Sequence, residues 1–227
     1  MKTLFLVSIM VALVAVQNAR AEFGGVPGLG GGEKKQASGG GDPVKAMKEF
    51  LATAQNAEKL MTTTVDSLFS MVVSTKESAK IEAEIKEANA IKDPKERAAK
   101  LNEIKTAAIK EFTGSDEQKA KLSNLDDKKK KALVGALYNL QLAILKDKDL
   151  VEKGNDVVSA FGNNPMEAAK NADKVSSIKD ALSSIGSQLE KASDIMPNLV
   201  DLAKANHVEP AMPKSSSDAP KKVSLPK

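Results

Sequence analysis

DPVKAMKEFLATAQNAEKLMTTTVDSLFSMV, residues 42–72, decides the fold. Asp42 is a helix-capping residue type, and Pro43 stands at the first helical position, where its missing N–H costs nothing. Val44, Met47, Leu51, Ala54, Met61, Val65, Leu68 and Val72 then recur at three- and four-residue spacing, with Glu58 as the polar exception. That spacing is the apolar stripe of an amphipathic helix. Such a stripe is marginal alone in water, so the rest of the chain must supply faces to cover it.

Downstream the same period continues. No glycine or proline interrupts the chain before Pro94. A single rod from Pro43 to Lys92 would run roughly 70 Å at ~1.5 Å per residue. A break is the better reading, because Ser74-Thr75-Lys76-Glu77 has the form of a capping box. The run Thr62-Thr63-Thr64 also weakens the helix before it through branching at Cβ. Ile81, Ile85, Ala88 and Ile91 carry the stripe onward. Asp93-Pro94, with Glu96, restarts the helix, and Ala98, Leu101, Ile104, Ala108 and Phe112 follow to Gly114, read as a left-handed cap.

Ser115 with Gln118 opens another helix. The segment Ala132–Leu145 is the most apolar after the first 21 residues, with Leu133, Leu137, Leu140 and Ile144 on one face. Gly135 within it suits the close approach of another helix. Gly154 and Gly162 mark its exit. Asn164-Pro165 starts the last rod, in which Ala168, Ala172, Val175, Ile178, Leu182, Ile185, Leu189 and Ala192 keep helical spacing, Pro197 kinks or interrupts it, and Leu199, Leu202 and Val208 continue. The expected rods are 43–73, 75–113, 116–153 and 165–208. No segment shows a strand's alternation. The expected fold is all-α: an elongated antiparallel bundle of about four long, partly kinked helices with coiled-coil-like packing, spanning 42–208, with disordered ends.

The ends have distinct compositions. Residues 1–21 read as a cleavable secretory signal: Lys2, the apolar run Leu4–Val16, then Ala19-Arg20-Ala21 with small residues at the cleavage positions. The run is shorter than the ~20 residues a spanning helix needs. Residues 22–41 are a glycine-rich flexible linker. Residues 209–227 hold four prolines, Pro210, Pro213, Pro220 and Pro226, with several lysines and serines and few apolar residues, and are expected to be disordered. These ends predict an exported protein, periplasmic or secreted after signal cleavage.

Composition excludes several functions. The 34 basic and 30 acidic residues nearly balance, and loss of Lys2 and Arg20 with the signal narrows the excess to +2. Arg97 is then the only arginine, and Tyr138 and five phenylalanines are the only aromatic residues. Planar forks and stacking platforms for nucleic acid are therefore nearly absent, and no nucleic-acid partner is expected. With no cysteine there is no thiol catalysis, haem attachment or cysteine-ligated metal. The lone His207 has no partners for a triad or a helical di-iron site and is read as solvent-exposed. Asp147-Lys148-Asp149 resembles the start of a calcium loop but lacks its glycine and closing glutamate. No Gly-x-Ser-x-Gly elbow or phosphate loop exists. No catalytic residue, cofactor or metal is expected.

One segment stands out as a contact candidate. Lys128, Lys129, Lys130 and Lys131 lead into the apolar helix that carries Leu133 and Leu137. A basic cluster before an apolar face suits an anionic membrane surface or a partner; the central helix of a core reads the same way. Met47, Met61, Met71, Met166 and Met196 are read as core filling rather than as an adaptable groove. The expected function is a non-enzymatic exported bundle that binds another protein or a cell-envelope component. The alternative is a lipid- or membrane-binding helical protein that opens to expose apolar faces.

Overall fold

The computed structural model describes residues 42–73 and 78–223. The signal at 1–21, the linker at 22–41 and the Ser74–Glu77 box lie outside the described residues. Among those described there are seven helices and no strand: α1 Pro43–Val72, α2 Ser78–Asn89, α3 Pro94–Gly114, α4 Asp116–Leu122, α5 Asp127–Gly162, α6 Pro165–Lys170 and α7 Ala172–Ala205.

Five of the seven helix starts are built from side chains adjacent in sequence. Asp42 accepts from the Val44 N–H at 2.9 Å. Asp93 accepts from Lys95 and Glu96, both at 2.8 Å. Ser115 accepts from Gln118, Asp126 from Lys129, and Asn164 from Glu167. These oxygens satisfy amide groups that have no carbonyl within the helix.

Five sequence expectations need correction. The rod expected from 116 to 153 is two helices, α4 and α5, parted at 123–126. Gly114 is not a left-handed cap, since no glycine has positive φ among the described residues. The chain leaves α3 through Ser115, extended at φ −88 and ψ 146, whose hydroxyl caps α4. Gly154 does not end a helix but lies inside α5, which runs on to Gly162. The rod expected from 165 to 208 is split at Asn171, a buried residue at φ −121 and ψ 26 between α6 and α7. Its amide donates to the Glu167 carbonyl and its oxygen accepts from Lys174. The helix carries on through Pro197. Finally, the stripe of α1 runs through Met47, Phe50, Ala54, Ala57, Met61, Val65, Leu68 and Val72, all buried. It passes through Ala57 rather than Glu58, which removes the polar exception.

The chain divides into two compact units. The first joins the described residues up to Ala54 with Asp147–Ser193. It gathers around Gly154: a Cβ there would stand 2.6 Å from Leu182 Cδ2 and 2.8 Å from Phe50 Cε2. Leu150, Phe161, Ile178 and Ile185 are buried in the same unit. The close approach of α1 and α7 segments to α5 explains this glycine within the helix.

The second unit joins Gln55–Lys146 with Asp194 onward. Leu68, Ile109, Leu133, Leu137, Leu140, Ile195 and Leu199 are at or near zero exposure in it. Two surface pairs cross between helices, Lys105 with Asp66 and Lys110 with Asp194 at 3.1 Å. Exposed pairs of this kind contribute at most about 1 kcal/mol. Asn206 does more. It is buried at 1% exposure. Its oxygen accepts from the Leu125 N–H at 2.8 Å, and its amide donates to the carbonyls of Leu122 at 2.7 Å and Leu202 at 2.9 Å. One side chain thereby ties the α4–α5 turn to the end of α7.

The end of α7 is a left-handed turn. Val208 donates to the Ala203 carbonyl and His207 to the Lys204 carbonyl, both at 3.0 Å. His207 has φ 55, the one positive φ of a non-glycine residue among the described residues. This is the bond pattern of a Schellman motif with histidine where glycine is usual. The exposed His207 is thus a helix terminator. Replacing it with glycine removes the Cβ penalty of the left-handed region and is expected to raise the unfolding free energy by about 1 kcal/mol, read by urea denaturation. A lower midpoint contradicts this account.

Candidate functional site

The polar interruptions of the apolar helix α5 come together at one place. Tyr138 and Asn139 lie in the middle of Ala132–Leu145, both buried, and Gly135 stands one turn earlier. The element that meets them is the C-terminal segment. Residues 209–223, expected to be disordered on composition, contain no helix but run along α5 in the second unit.

Five contacts fix the segment. The Lys146 ammonium donates to the Ser216 carbonyl. The Tyr138 hydroxyl donates to Asp218 Oδ2 at 3.2 Å. The Lys221 ammonium stands 4.4 Å from the centre of the Tyr138 ring, a cation–π contact. Asn139 Nδ2 donates to the Lys221 carbonyl at 2.8 Å, and the Lys221 N–H donates to Asn139 Oδ1 at 2.7 Å. A Cβ on Gly135 would lie 3.2 Å from Val223 Cγ2, so this glycine admits the segment rather than another helix. As the segment advances from 216 to 223, its partners on α5 recede from 146 to 135. The two therefore run in opposite directions.

The Asn139 pair is the distinctive feature. A single carboxamide satisfies both backbone groups of one residue. This reads an extended main chain without regard to its side chain. Asp218 organises the turn before it, accepting from the Lys214 N–H at 2.8 Å and from the Ser215 hydroxyl at 3.0 Å.

Beside the segment a cavity of about 310 Å³ is walled by α1, chiefly Asn56, Lys59, Leu60, Thr63 and Thr64, and on its other sides by Asn139, Pro220 and Val223. The hydroxyls of Thr63 and Thr64 bond to carbonyls of their own helix at 2.8 and 2.7 Å. These two hydroxyls are thus satisfied within α1, and Leu60 is the apolar residue of this wall beside Asn56 and Lys59.

Electrostatics favour the docked segment at neutral pH. The Lys214 N–H holds the Asp218 carboxyl below its ordinary value; partial burial opposes this, and the Ser215 and Tyr138 hydroxyls add to it. Burial raises the Tyr138 phenol, as do its bond to Asp218 and that group's charge. Asp218 therefore supports docking above the ordinary carboxylate pKa of ~3.9, and that support fades as pH falls through its lowered value. Tyr138 supports docking below ~10, and that support fades as pH rises through its raised value. Tyr138 is the only tyrosine and tryptophan is absent, so tyrosine emission reports this contact alone. Its emission is expected to be flat across neutral pH and to change only at acid below ~3.9 and alkali above ~10. An acid transition at or above ~3.9 contradicts the docked arrangement. On the same helix, lost hydration pushes the Lys148 ammonium down, but it contacts none of these groups.

The contact candidates from the sequence fall elsewhere. Lys128 and Lys131 are exposed at the start of α5, and Lys129 and Lys130 are half-buried. Leu133 and Leu137 have no exposure, so this structure does not present them beside the lysines to a surface. Asp147-Lys148-Asp149 is helical and forms no loop. Met47, Met61, Met71 and Met196 are buried, and Met166 is 71% exposed. Among the described residues no group of three or more histidine, aspartate or glutamate side chains is placed to hold a metal, and no helix is long and apolar enough to cross a membrane.

No protein-family model, curated protein or solved structure matches this chain.

Proposed function

We propose that this is an exported, non-enzymatic helical protein that binds another protein or a component of a cell envelope, with no role for nucleic acid. The signal-like residues 1–21 support export, and the absence of motif-level catalytic sets from the sequence supports a binding role. The observation that carries the reading is the groove on α5, where buried Asn139 pairs with both backbone groups of one extended residue. Buried polar groups positioned to recognise main chain suit protein binding better than catalysis. The scaffold in this reading is an antiparallel bundle of about four long helices, supported by short connections and buried stripes.

The test is affinity capture by the full chain from the extracellular or envelope fraction of its own source, with identification of what is retained. A saturable partner is expected. Retention of nothing above a scrambled-surface control, or a defined catalytic turnover by the purified chain, overturns the proposal.

The membrane reading rests on the apolar segment 132–145 behind the basic run 128–131, of which Lys128 and Lys131 are exposed. It requires α5 to turn out Leu133 and Leu137, which are fully covered. Flotation with vesicles containing anionic lipid at low salt discriminates: absence of co-flotation removes this second reading.

A further inference from the structure

The groove that holds residues 214–223 has the chemistry of a peptide site, and its present occupant fits it imperfectly. Four features each read a different part of an extended segment. Asn139 takes the N–H and carbonyl of one residue. The Tyr138 ring takes that residue's ammonium. Gly135 leaves room for a small branched side chain two positions on. The Tyr138 hydroxyl takes a carboxylate three positions before the lysine. The pattern is therefore an acidic residue, two free positions, lysine, one free position, then valine or a residue of its shape.

The segment leaves the cavity of about 310 Å³ unfilled against α1. Pro220 and Val223 border it without occupying it. A larger apolar side chain on an otherwise similar segment would reach Leu60 on that wall and bury more apolar area.

We propose that this groove binds an extended segment of a partner protein that carries the Asp-x-x-Lys-x-Val pattern with a bulkier apolar residue next to the lysine, and that residues 214–223 are a built-in competitor for it. This rests on the reading of the protein as a protein-binding module and names the kind of segment it binds. A tail from a second copy is the weaker occupant. Only residues 206–213 separate α7 from the bound segment, so the chain's own tail is present at an effective concentration in the millimolar range. An identical tail from solution has no advantage to overcome that. A better-filling segment has one.

The test uses the full chain and two fluorescently labelled peptides, Lys-Ser-Ser-Ser-Asp-Ala-Pro-Lys-Lys-Val and the same sequence with leucine in place of the proline. The tail is released in the full chain by Asp218→Ala with Lys221→Pro, which removes the carboxylate, the ammonium and the N–H that Asn139 accepts. A change in tyrosine emission confirms release. Polarisation titrations are expected to show both peptides binding the released variant at least 10-fold tighter than the unaltered chain, with the leucine peptide tighter than the proline peptide. Asn139→Leu, which keeps the site filled, and Gly135→Val, which closes the floor, are each expected to abolish binding in the released background. No saturable binding to the released variant, or binding unchanged by Asn139→Leu and Gly135→Val, overturns the proposal. Equal affinity for the two peptides overturns the foreign partner and leaves the tail as the groove's proper occupant. A partner captured by the full chain whose retention ignores both groove substitutions overturns the groove proposal while the binding function stands.

Discussion

Asn206→Ala is expected to lower the unfolding free energy by about 3 kcal/mol, read by urea denaturation followed through helical dichroism. Three backbone groups depend on this amide: the Leu125 N–H and the Leu122 and Leu202 carbonyls. The Leu202 carbonyl also receives the N–H of residue 206 along the helix and loses least. Leu125 is the buried residue of an otherwise exposed turn, and its N–H and the Leu122 carbonyl tie that turn to α7 through Asn206. An orphaned buried donor or acceptor costs about 1–3 kcal/mol each, which sets the sum for Leu125 and Leu122. The slope of the denaturation curve is expected to stay constant, because the same surface is exposed on unfolding. A loss below ~1 kcal/mol would mean that these groups find other partners and that the clamp is incidental.

Gly154→Val is expected to have a comparable effect, about 3 kcal/mol of destabilisation. The first added carbon would meet Leu182 Cδ2 at 2.6 Å and the Phe50 ring at 2.8 and 3.0 Å. Leu182 is half-buried and can swing aside. Phe50 is 3% exposed, and its ring has nowhere to go. Alanine at this position separates the two effects. Relief of glycine's backbone freedom in a helix favours alanine by about 1 kcal/mol, while the clash opposes it, so Gly154→Ala is expected near neutral or slightly destabilising. Stabilisation of the valine variant in urea would show that the helices are not held as close as they stand here.

Much of this fold was legible because much of it is local. Asp42, Asp93, Ser115 and Asn164 begin helices by bonding to amides two or three residues away, and residue type at that spacing is visible in any sequence. The stripe of α1 was legible in period but not in phase. Leu51 and Glu58 compete with Phe50 and Ala57 for the same turns, and only the facing helices decide that the aromatic ring and the small residue go inward. The available clue was polarity, since the set through Leu51 must pass the charged Glu58 while the buried set meets no charged residue.

The groove was not legible for a different reason. Its partners stand about 80 residues apart in the chain, and the composition of 209–227 resembles that of a disordered segment. Proline and lysine there argue against helix, and they do, but they do not argue against an extended strap held at a few points. The signal lay on the other partner. A tyrosine and an asparagine set side by side in the apolar segment 132–145, one turn after a glycine, are expensive to bury without a purpose. Gly135 pointed to a close approach, but what approaches is the extended tail at Val223 and not the helix expected there. The lysines at 128–131 drew attention by charge, yet charge near a helix start says nothing of whether Leu133 and Leu137 are available, and here they are not.

The solitary phenol on α5 has one more use. Every strong near-ultraviolet dichroic band of this protein must originate at that ring, because no other tyrosine, tryptophan or disulfide exists to produce one. Its melting curve follows the unit formed by Gln55–Lys146 and Asp194 onward and is blind to the one around Gly154. Superimposing that curve on the far-ultraviolet melt, which averages all helices, tells whether the chain loses its two halves in a single cooperative event or one before the other.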